Sequence, residues 1–268
     1  MFAIDRRVLA KLEPVVRRTL IVEPNPQAAR LLSDIIRALG ARDVRTTADA
    51  AGAMSLAAAL EPGLVFMEYG GTGLEGPALA RKLRRSNLMC RRVPIIMVAG
   101  EATASAIREA RDAGVHEFLR KPFTSADLFR RVENVAQKPR DWIEGIAYVG
   151  PDRRRFNSGG YDGPAKRRND KAVSAAEAVA SVREQALRIL SAALTQFEDD
   201  PAQALRAVRE QAGQLKALAM STSDARLAVG VGALEVAVAS GGPNRAVLRP
   251  PIEALLALYP IEELKRAS

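Results

Sequence analysis

Two stretches decide the fold of this chain: VPIIMVAG at residues 93–100 and AGVHEFLRKPF at residues 113–123. Each contains a short run of apolar and β-branched residues, which predicts a buried strand. Between them, residues 102–113 have helical spacing and end in Ala-Gly, which favours a helix stop. The stretches therefore predict a strand, a helix and a second strand, the unit from which parallel sheets are built.

The same alternation extends towards the N-terminus and predicts an α/β fold, a doubly wound parallel sheet of five strands. In such a sheet, ligands lie beyond the carboxyl ends of the central strands. Four residues stand at predicted strand ends: Glu23, Glu68, Ala99 and Lys121. The remaining predicted strands are RTLIVEP (18–24), DVRTT (43–47) and GLVFME (63–68), and the remaining helices are 5–18, 26–39, 48–60, 75–85 and 124–137.

The pattern changes after residue 137. Residues 138–172 contain Gly-Pro twice and several basic runs without helical spacing, which predicts an irregular linker. Four amphipathic segments with short connections then predict an antiparallel helical bundle. Those segments are 174–197, 201–219, 223–239 and 245–258. The predicted domains are an N-terminal helix at 1–17, a sheet domain at 18–137, the linker at 138–172 and the bundle at 173–268.

Charge is distributed unevenly along the 268 residues. Residues 1–172 hold 30 Lys and Arg against 20 Asp and Glu, whereas residues 173–268 hold 10 against 11. An anionic partner is therefore expected at the first part of the chain.

One cysteine, Cys90, and one histidine, His116, exclude internal disulfides and cysteine metal clusters. We expect His116 at the surface and, since no signal peptide or membrane span is apparent, a cytoplasmic protein.

The strand ends resemble the receiver domains of two-component response regulators, over residues 18–137. In that family an acidic pair follows the first strand, a phospho-accepting aspartate ends the third, a hydroxyl residue follows the fourth and Lys-Pro follows the fifth. The corresponding residues here are Glu23-Pro24, Glu68, Ala99 and Lys121-Pro122, with Phe118 at the aromatic switch position and Gly76 eight residues after the acceptor. The resemblance implies a cis Lys121-Pro122 bond, a Mg²⁺ ion held by the acids, and in-line attack on a phosphohistidine.

Several of these positions depart from the family pattern. Pro24 offers only its carbonyl as a ligand, which weakens a Mg²⁺ site, and Glu68 places its oxygens one methylene farther out than aspartate. A displacement of about 1 Å can slow a reaction on the order of 100-fold. Ala99 lacks the hydroxyl, and Phe118 lacks the phenol oxygen. We therefore expect no phosphoryl transfer to Glu68 and no cofactor, with Glu23 and Glu68 as the only side-chain metal ligands if any ion binds.

Two interpretations of Glu68 remain open. In one, Glu68 and Lys121 form a fixed ion pair that locks one signalling state. In the other, an unused pocket has drifted, and the pair only satisfies a buried charge that would otherwise be costly.

Partner surfaces are predicted by resemblance and by composition. The family docks partners through its last helix and the preceding strand, here Phe118, Arg120 and residues 127–131, which favours a histidine kinase or a second copy of the chain. A solvated, inert face is the alternative. Trp142 is expected to anchor the linker to the sheet domain.

The segment 201–240 faintly resembles histidine phosphotransfer domains. Aligning QLKAL on the core of such a domain puts Gly213 at the position of the phosphorylated histidine, with Lys216 kept and Ala217 in place of glycine. Because residues 173–268 contain no histidine, this segment cannot transfer a phosphoryl group through one. A generic Ala/Leu bundle fits the spacing equally well, and either interpretation predicts a docking module.

The linker carries an alternative function. Its basic runs and neighbouring aromatics could bind phosphates and stack bases, and its RxxD pattern resembles inhibitory cyclic-di-GMP sites. The candidate anion-binding residues are Arg153, Arg154, Arg155, Arg167, Arg168 and Asp170.

The sequence thus predicts a signalling adaptor of the response-regulator type and not an enzyme, since it offers no Gly-rich phosphate loop and no nucleophile triad. A nucleotide or nucleic-acid effector is the alternative. A transcription factor is disfavoured because helix 223–239 holds only one basic residue, Arg226.

Overall fold

The computed structural model describes residues 6–153, 175–240 and 243–259. Their contacts divide into two compact units. The first unit runs to Ile143 and resumes at Tyr148, and the second unit comprises Glu144–Ala147 and the helices from Ala175 onward.

The first unit is built on a parallel sheet of five strands, which confirms the predicted fold class. The strands of this sheet are β1 (Arg18–Val22), β2 (Asp43–Thr47), β3 (Leu64–Glu68), β6 (Ile95–Ala99) and β7 (Glu117–Arg120), and they lie in the order β2-β1-β3-β6-β7. A separate short pair consists of β4 (Gly70–Gly71) and β5 (Leu74–Glu75). Its helices are α1 (Arg6–Val16), α2 (Pro26–Ala38), α3 (Ala50–Leu60), α4 (Gly76–Arg85), α5 (Ala104–Asp112) and α6 (Ser125–Gln137), with a 3₁₀ turn at Met89–Arg92.

Local sequence explains where several helices begin. Asn25 caps α2 by accepting hydrogen bonds from the backbone N–H groups of Gln27 and Ala28, and Pro26 occupies the first helical position. Thr124 and Asp127 form a reciprocal capping box at the start of α6. These caps fix the loops that follow β1 and β7, and both loops border the candidate site.

Two apolar layers cover the sheet, one on each face. Strands β3 and β6 are buried along their whole length, as expected for central parallel strands. One layer includes Leu12 and Val16 of α1 together with Leu128 and Val132 of α6. Helix α1 therefore packs against α6 and completes the core on that face.

The prediction of an irregular linker is wrong for its first part. Strands β8 (Trp142–Glu144) and β9 (Val149–Pro151) form a two-stranded sheet, and Tyr148 and Val149 are buried. The stretch is rich in apolar residues, and Val149 lies against Gly114. A Cβ atom on Gly114 would lie 2.6 Å from the carbonyl oxygen of Val149, so only glycine permits this approach.

The second unit contains four helices among its described residues, as predicted. They are α7 (Ala175–Thr195), α8 (Pro201–Thr222), α9 (Ala225–Ala239) and α10 (Arg245–Leu258). Each helix packs against the next, and α10 returns to α7. Among the described residues, no helix combines the length and the apolar content that a bilayer span requires.

Candidate functional site

The candidate site lies where β1, β3, β6 and β7 end. Glu23 follows β1, Glu68 and Ala99 are the last residues of β3 and β6, and Lys121 follows β7. The backbone N–H of Lys121 donates to the carbonyl of Ala99 at 2.7 Å, and that of Glu23 donates to Thr47 at 2.9 Å. The ladder thus brings together the four residues that the sequence placed at strand ends.

Lys121 bridges the two carboxylates. Its Nζ donates to Oε2 of Glu68 at 2.6 Å and to Oε2 of Glu23 at 2.8 Å. The side chain of Glu23 is 4% exposed and that of Glu68 is 10% exposed, whereas the side chain of Lys121 is 30% exposed. The ion pair expected between Glu68 and Lys121 is therefore present, with Glu23 as a second partner. The Lys121-Pro122 bond is cis, as the resemblance implied.

Electrostatics reflect this burial. Burial raises the pKa of Glu68 to about 7, against the lowering effect of Lys121. Burial also disfavours the charged form of Lys121, but its hydrogen bonds to Glu23 and Glu68 outweigh that effect and raise its pKa. One ammonium can neutralise only one of the two carboxylates, so Glu23 and Glu68 compete for Lys121.

Gly76 is required at its position. A Cβ atom there would lie 2.3 Å from the carbonyl oxygen of Glu68 and 2.7 Å from that of Tyr69. The N–H of Gly76 donates to the Tyr69 carbonyl at 2.9 Å. Gly76 thus lets the loop after β3 return to within close contact of the backbone of Glu68 and Tyr69.

A cleft of about 280 Å³ opens beside Glu68 and is lined by Tyr69, Ala99, Glu101 and Thr103, among others. The methyl group of Ala99 offers no hydrogen-bond donor to this cleft. The hydroxyl of Thr103 accepts from the N–H of Ala106 and caps α5. An anion in the cleft would therefore meet acidic side chains and no hydroxyl at position 99.

The site does not fit Mg²⁺. A hard divalent cation needs several oxygen ligands in octahedral array. The two carboxylates direct oxygens at the ammonium of Lys121 instead, and Pro24 contributes no side-chain oxygen. The described residues hold no group of three or more acidic, histidine or cysteine side chains suited to a metal.

The aromatic switch residue lies inward. Phe118 is 3% exposed and meets the ring of Tyr69 edge-on at a centroid distance of 6.4 Å. The hydroxyl of Tyr69 donates to Glu109 on α5 at 2.6 Å. The predicted docking face is therefore wrong in one respect, because Phe118 is covered. Arg131 in that face pairs with the buried Glu117 at 2.9 Å.

A second polar cluster at the opposite ends of the strands was missed. Arg84 is 1% exposed, and its guanidinium donates to the carbonyls of Gly114, Arg91 and Val93 at 2.7–2.9 Å. Burial lowers the pKa of Arg84 to about 9. In the sequence, Arg84 stands in the run RKLRR, which is typical of a solvated basic face, so nothing singled it out.

His116 belongs to this cluster, and its predicted surface position is wrong. The residue is 9% exposed, and its Nδ1 lies 3.3 Å from both the N–H of Ile95 and Nη2 of Arg84. Burial, with Arg84 and Arg140 nearby, lowers the pKa of His116 well below its usual value. Trp142 anchors the start of the hairpin as predicted, since three guanidinium groups lie 5.3–5.7 Å from its ring.

Of the candidate linker residues, only Arg153 is described. It pairs with Asp112 at 3.0 Å, and its guanidinium lies 4.5 Å from the ring centroid of Tyr148. Arg154, Arg155, Arg167, Arg168 and Asp170 lie outside the described residues.

Comparison with known proteins places this geometry in context. Residues 19–133 match the family model of the response regulator receiver domain. The chain is 25% identical over 121 residues to the chemotaxis protein CheY-3 of Vibrio cholerae, covering 45% of this chain and 92% of that protein. It is 31% identical over 111 residues to the nitrogen assimilation regulatory protein NtrX of Azorhizobium caulinodans, covering 41% of this chain and 24% of that protein.

Among solved structures, the chain is similar to the receiver domain of the sensor histidine kinase PA1611 from Pseudomonas aeruginosa, whose structure has a magnesium ion coordinated in the active-site cleft. The identity is 30% and the TM-score 0.40, with 43% of this chain and 93% of that chain covered. A response regulator from Chloroflexus aurantiacus gives 26% identity and a TM-score of 0.42, with 45% and 97% covered.

Proposed function

We propose that this chain, whose residues 19–133 form a response regulator receiver domain of two-component signalling, is an adaptor that signals without phosphorylation of that domain. The observation that carries the proposal is the bridge from Lys121 to Glu68 and Glu23. The ammonium lies between the two carboxylates that a metal-dependent phosphoryl transfer would have to use.

Each chemical requirement of phosphoryl transfer is weakened here. The acceptor needs a free carboxylate aligned with the phosphorus, and the transferred group needs cations and donors for its oxygens. Glu68 is engaged by Lys121, Pro24 supplies no acid, and Ala99 supplies no hydroxyl. We therefore propose that neither Mg²⁺ nor any other cofactor acts at this site and that the receiver performs no catalysis.

We further propose that the receiver is held in one signalling state, the state with its switch aromatic inward. In the phosphorylated family members, the hydroxyl residue and the phosphate draw that aromatic inward. Here Phe118 is buried without either group, in the same apolar cluster as Ala99 and edge-on to the ring of Tyr69. A receiver fixed in this way reports through protein contacts and needs no kinase to switch it.

The partners are proposed to be signalling proteins, a histidine kinase or a second copy of the chain among them, in the cytoplasm. Because the ring of Phe118 is buried, we propose a docking surface that does not include this residue. Of the residues in the predicted docking face, the exposed ones are Arg120 at the end of β7 and Arg130 on α6.

Nuclear magnetic resonance with beryllium fluoride tests this proposal. Beryllium fluoride mimics a phosphoryl group on a carboxylate, so a competent receiver should respond when it is added with Mg²⁺. We expect no shift of the backbone signals of Glu68, Ala99 and Lys121 at saturating reagent. A saturable shift at these residues would contradict the proposal. Affinity capture with the full chain should return the same partners for wild type and for Glu68→Gln.

The alternative function, nucleotide or nucleic-acid binding by the linker, stays a prediction. Most of its residues lie outside the described part of the chain, and Arg153 already pairs with Asp112. Calorimetry with cyclic-di-GMP, RNA and DNA at low salt is the direct test.

A further inference from the structure

Helix α8 carries two buried glutamines in an otherwise apolar core. Gln203 is 0% exposed and Gln211 is 2% exposed, among alanine, leucine and valine side chains of the bundle. Burying an amide without hydrogen-bond partners costs free energy, so buried glutamines in such a core need specific partners. These two point to a recognition site on α8.

The partners are supplied by Glu144–Ala147. The side-chain nitrogen of Gln203 donates to Oε1 of Glu144 and to the carbonyl of Gly145, at 3.0 Å each. The side-chain nitrogen of Gln211 donates to the carbonyl of Glu144 at 3.4 Å. Ile146, 7% exposed, packs into the core of the bundle.

Geometry at the start of α8 suits a carboxylate. Asp200 caps the helix, and Gln203 lies in its first turn, where the backbone N–H groups and the helix dipole favour negative charge. Glu144 is 2% exposed, so its carboxylate is held inside the second unit. Gln203 is itself oriented by Arg206, whose Nε donates to its side-chain oxygen at 3.1 Å.

We propose that α8 carries a binding site for a short peptide segment of the chemistry Glu-Gly-Ile, and that the chain fills it with its own residues 144–147. The side-chain amides of Gln203 and Gln211 bind the carboxylate of Glu144 and the backbone carbonyls of Glu144 and Gly145. The side chain of Ile146 packs into the apolar core of the bundle. The chain enters the second unit for these four residues and returns to the first unit at Tyr148. The segment is thus an intramolecular ligand of the bundle within the second unit.

Cutting the chain tests this attachment. A protease sequence inserted between Gly159 and Gly160 allows the folded full chain to be cut after purification, with the N-terminal part immobilised by a tag. The rate at which the C-terminal fragment washes off is then measured. We expect slow release for wild type and release at least about tenfold faster for Gln203→Leu and for Ile146→Ala, because each removes contacts worth on the order of a factor of ten.

Gln214→Leu is the matched control, since Gln214 is an exposed glutamine on the same helix. It should release its fragment at the wild-type rate. Circular dichroism before cutting establishes that each variant keeps its helices. Should Gln203→Leu lose them, Ile146→Ala tests the site from the other side, outside the helices. Immediate release of the wild-type fragment would overturn the proposal, and so would equal release from wild type and both variants.

Discussion

Lys121 Nζ lies 2.6 Å from Oε2 of Glu68, beyond the carboxyl ends of strands β3 and β7 of the sheet. The contact joins residues 53 positions apart in sequence, and the same ammonium reaches Glu23 at 2.8 Å. The carboxylate at the acceptor position is therefore already paired, and the consequences below follow from that pairing.

Restoring the family residues should restore the chemistry. The triple variant Pro24→Asp, Glu68→Asp, Ala99→Thr returns a second acid, a shorter acceptor and a hydroxyl to the pocket. We expect it to incorporate a phosphoryl group from acetyl phosphate in a Mg²⁺-dependent manner, measured by intact mass. Glu68→Asp alone is the control and should incorporate at least about 100-fold more slowly, since the metal acid and the hydroxyl are still missing. Failure of the triple variant would mean that other features of the pocket block the reaction.

Glu68 should titrate near neutral pH. Its pKa is raised from 4.5 to about 7 by burial, so the folded state keeps its proton up to about pH 7, whereas the unfolded state loses it near pH 4.5. This group therefore lowers the free energy of unfolding as pH rises between those values. Urea denaturation of wild type and Glu68→Gln at pH 5 and pH 8 measures the difference. The variant should gain stability relative to wild type at pH 8, and an equal difference at both pH values would contradict this.

His116 should have the opposite pH dependence. Its pKa in the folded state lies well below 6.5 because burial and the nearby Arg84 disfavour its charged form. Below pH 6.5 the unfolded state binds a proton that the folded state does not, so stability falls as pH falls, by up to about 1.4 kcal/mol per pH unit. His116→Gln should lack this loss between pH 6.5 and pH 5. Parallel curves for the two proteins would show that His116 is charged when folded.

Arg84 should be essential for stability through its hydrogen bonds to backbone carbonyls. Arg84→Leu leaves the buried carbonyls of Gly114, Arg91 and Val93 without their donor, at about 1–3 kcal/mol each. We expect a loss of at least about 3 kcal/mol in the free energy of unfolding, measured by urea denaturation. Lys82→Leu, an exposed position on the same helix, should change it by less than about 0.5 kcal/mol. A loss for Arg84→Leu no larger than the control would refute the role.

Gly76→Ala should disturb the site through the backbone. The added methyl group would lie 2.3 Å from the carbonyl oxygen of Glu68, a contact that must be relieved by moving β3 or the loop. We expect a destabilisation of about 2 kcal/mol or more and shifted backbone signals at Glu68 and Lys121. Gly70→Ala is the control, because its Cβ atom meets nothing closer than 4.0 Å. Equal effects of both substitutions would contradict the close approach.

Most of the first unit was predictable because its signals are local. Apolar strands, helical spacing and caps such as Asn25 fix the elements, and parallel strand order then brings Glu23, Glu68 and Lys121 together. The ion pair between Glu68 and Lys121 followed from chemistry, since a buried lysine needs a carboxylate.

The rest depended on contacts between distant residues. In sequence, Arg84 and His116 look like surface residues. Their burial is stabilised by hydrogen bonds to groups that separate loops contribute. The sequence also gives no sign that Gln203 and Gln211 of α8 are buried, because their partners Glu144 and Gly145 lie 58–67 residues away in the predicted linker. The apolar content of residues 142–149 was an available signal, but the Gly-Pro pairs and basic runs that follow favoured an irregular linker.

Intact-mass measurement of the wild-type protein after incubation with acetyl phosphate and Mg²⁺ tests the central claim most directly. Because Lys121 already engages the side chain of Glu68, and Pro24 and Ala99 supply neither an acid nor a hydroxyl, we predict an unchanged mass at neutral pH, both with Mg²⁺ and with the metal removed by chelation. Stoichiometric gain of one phosphoryl group, mapped to Glu68 and dependent on Mg²⁺, would contradict the account.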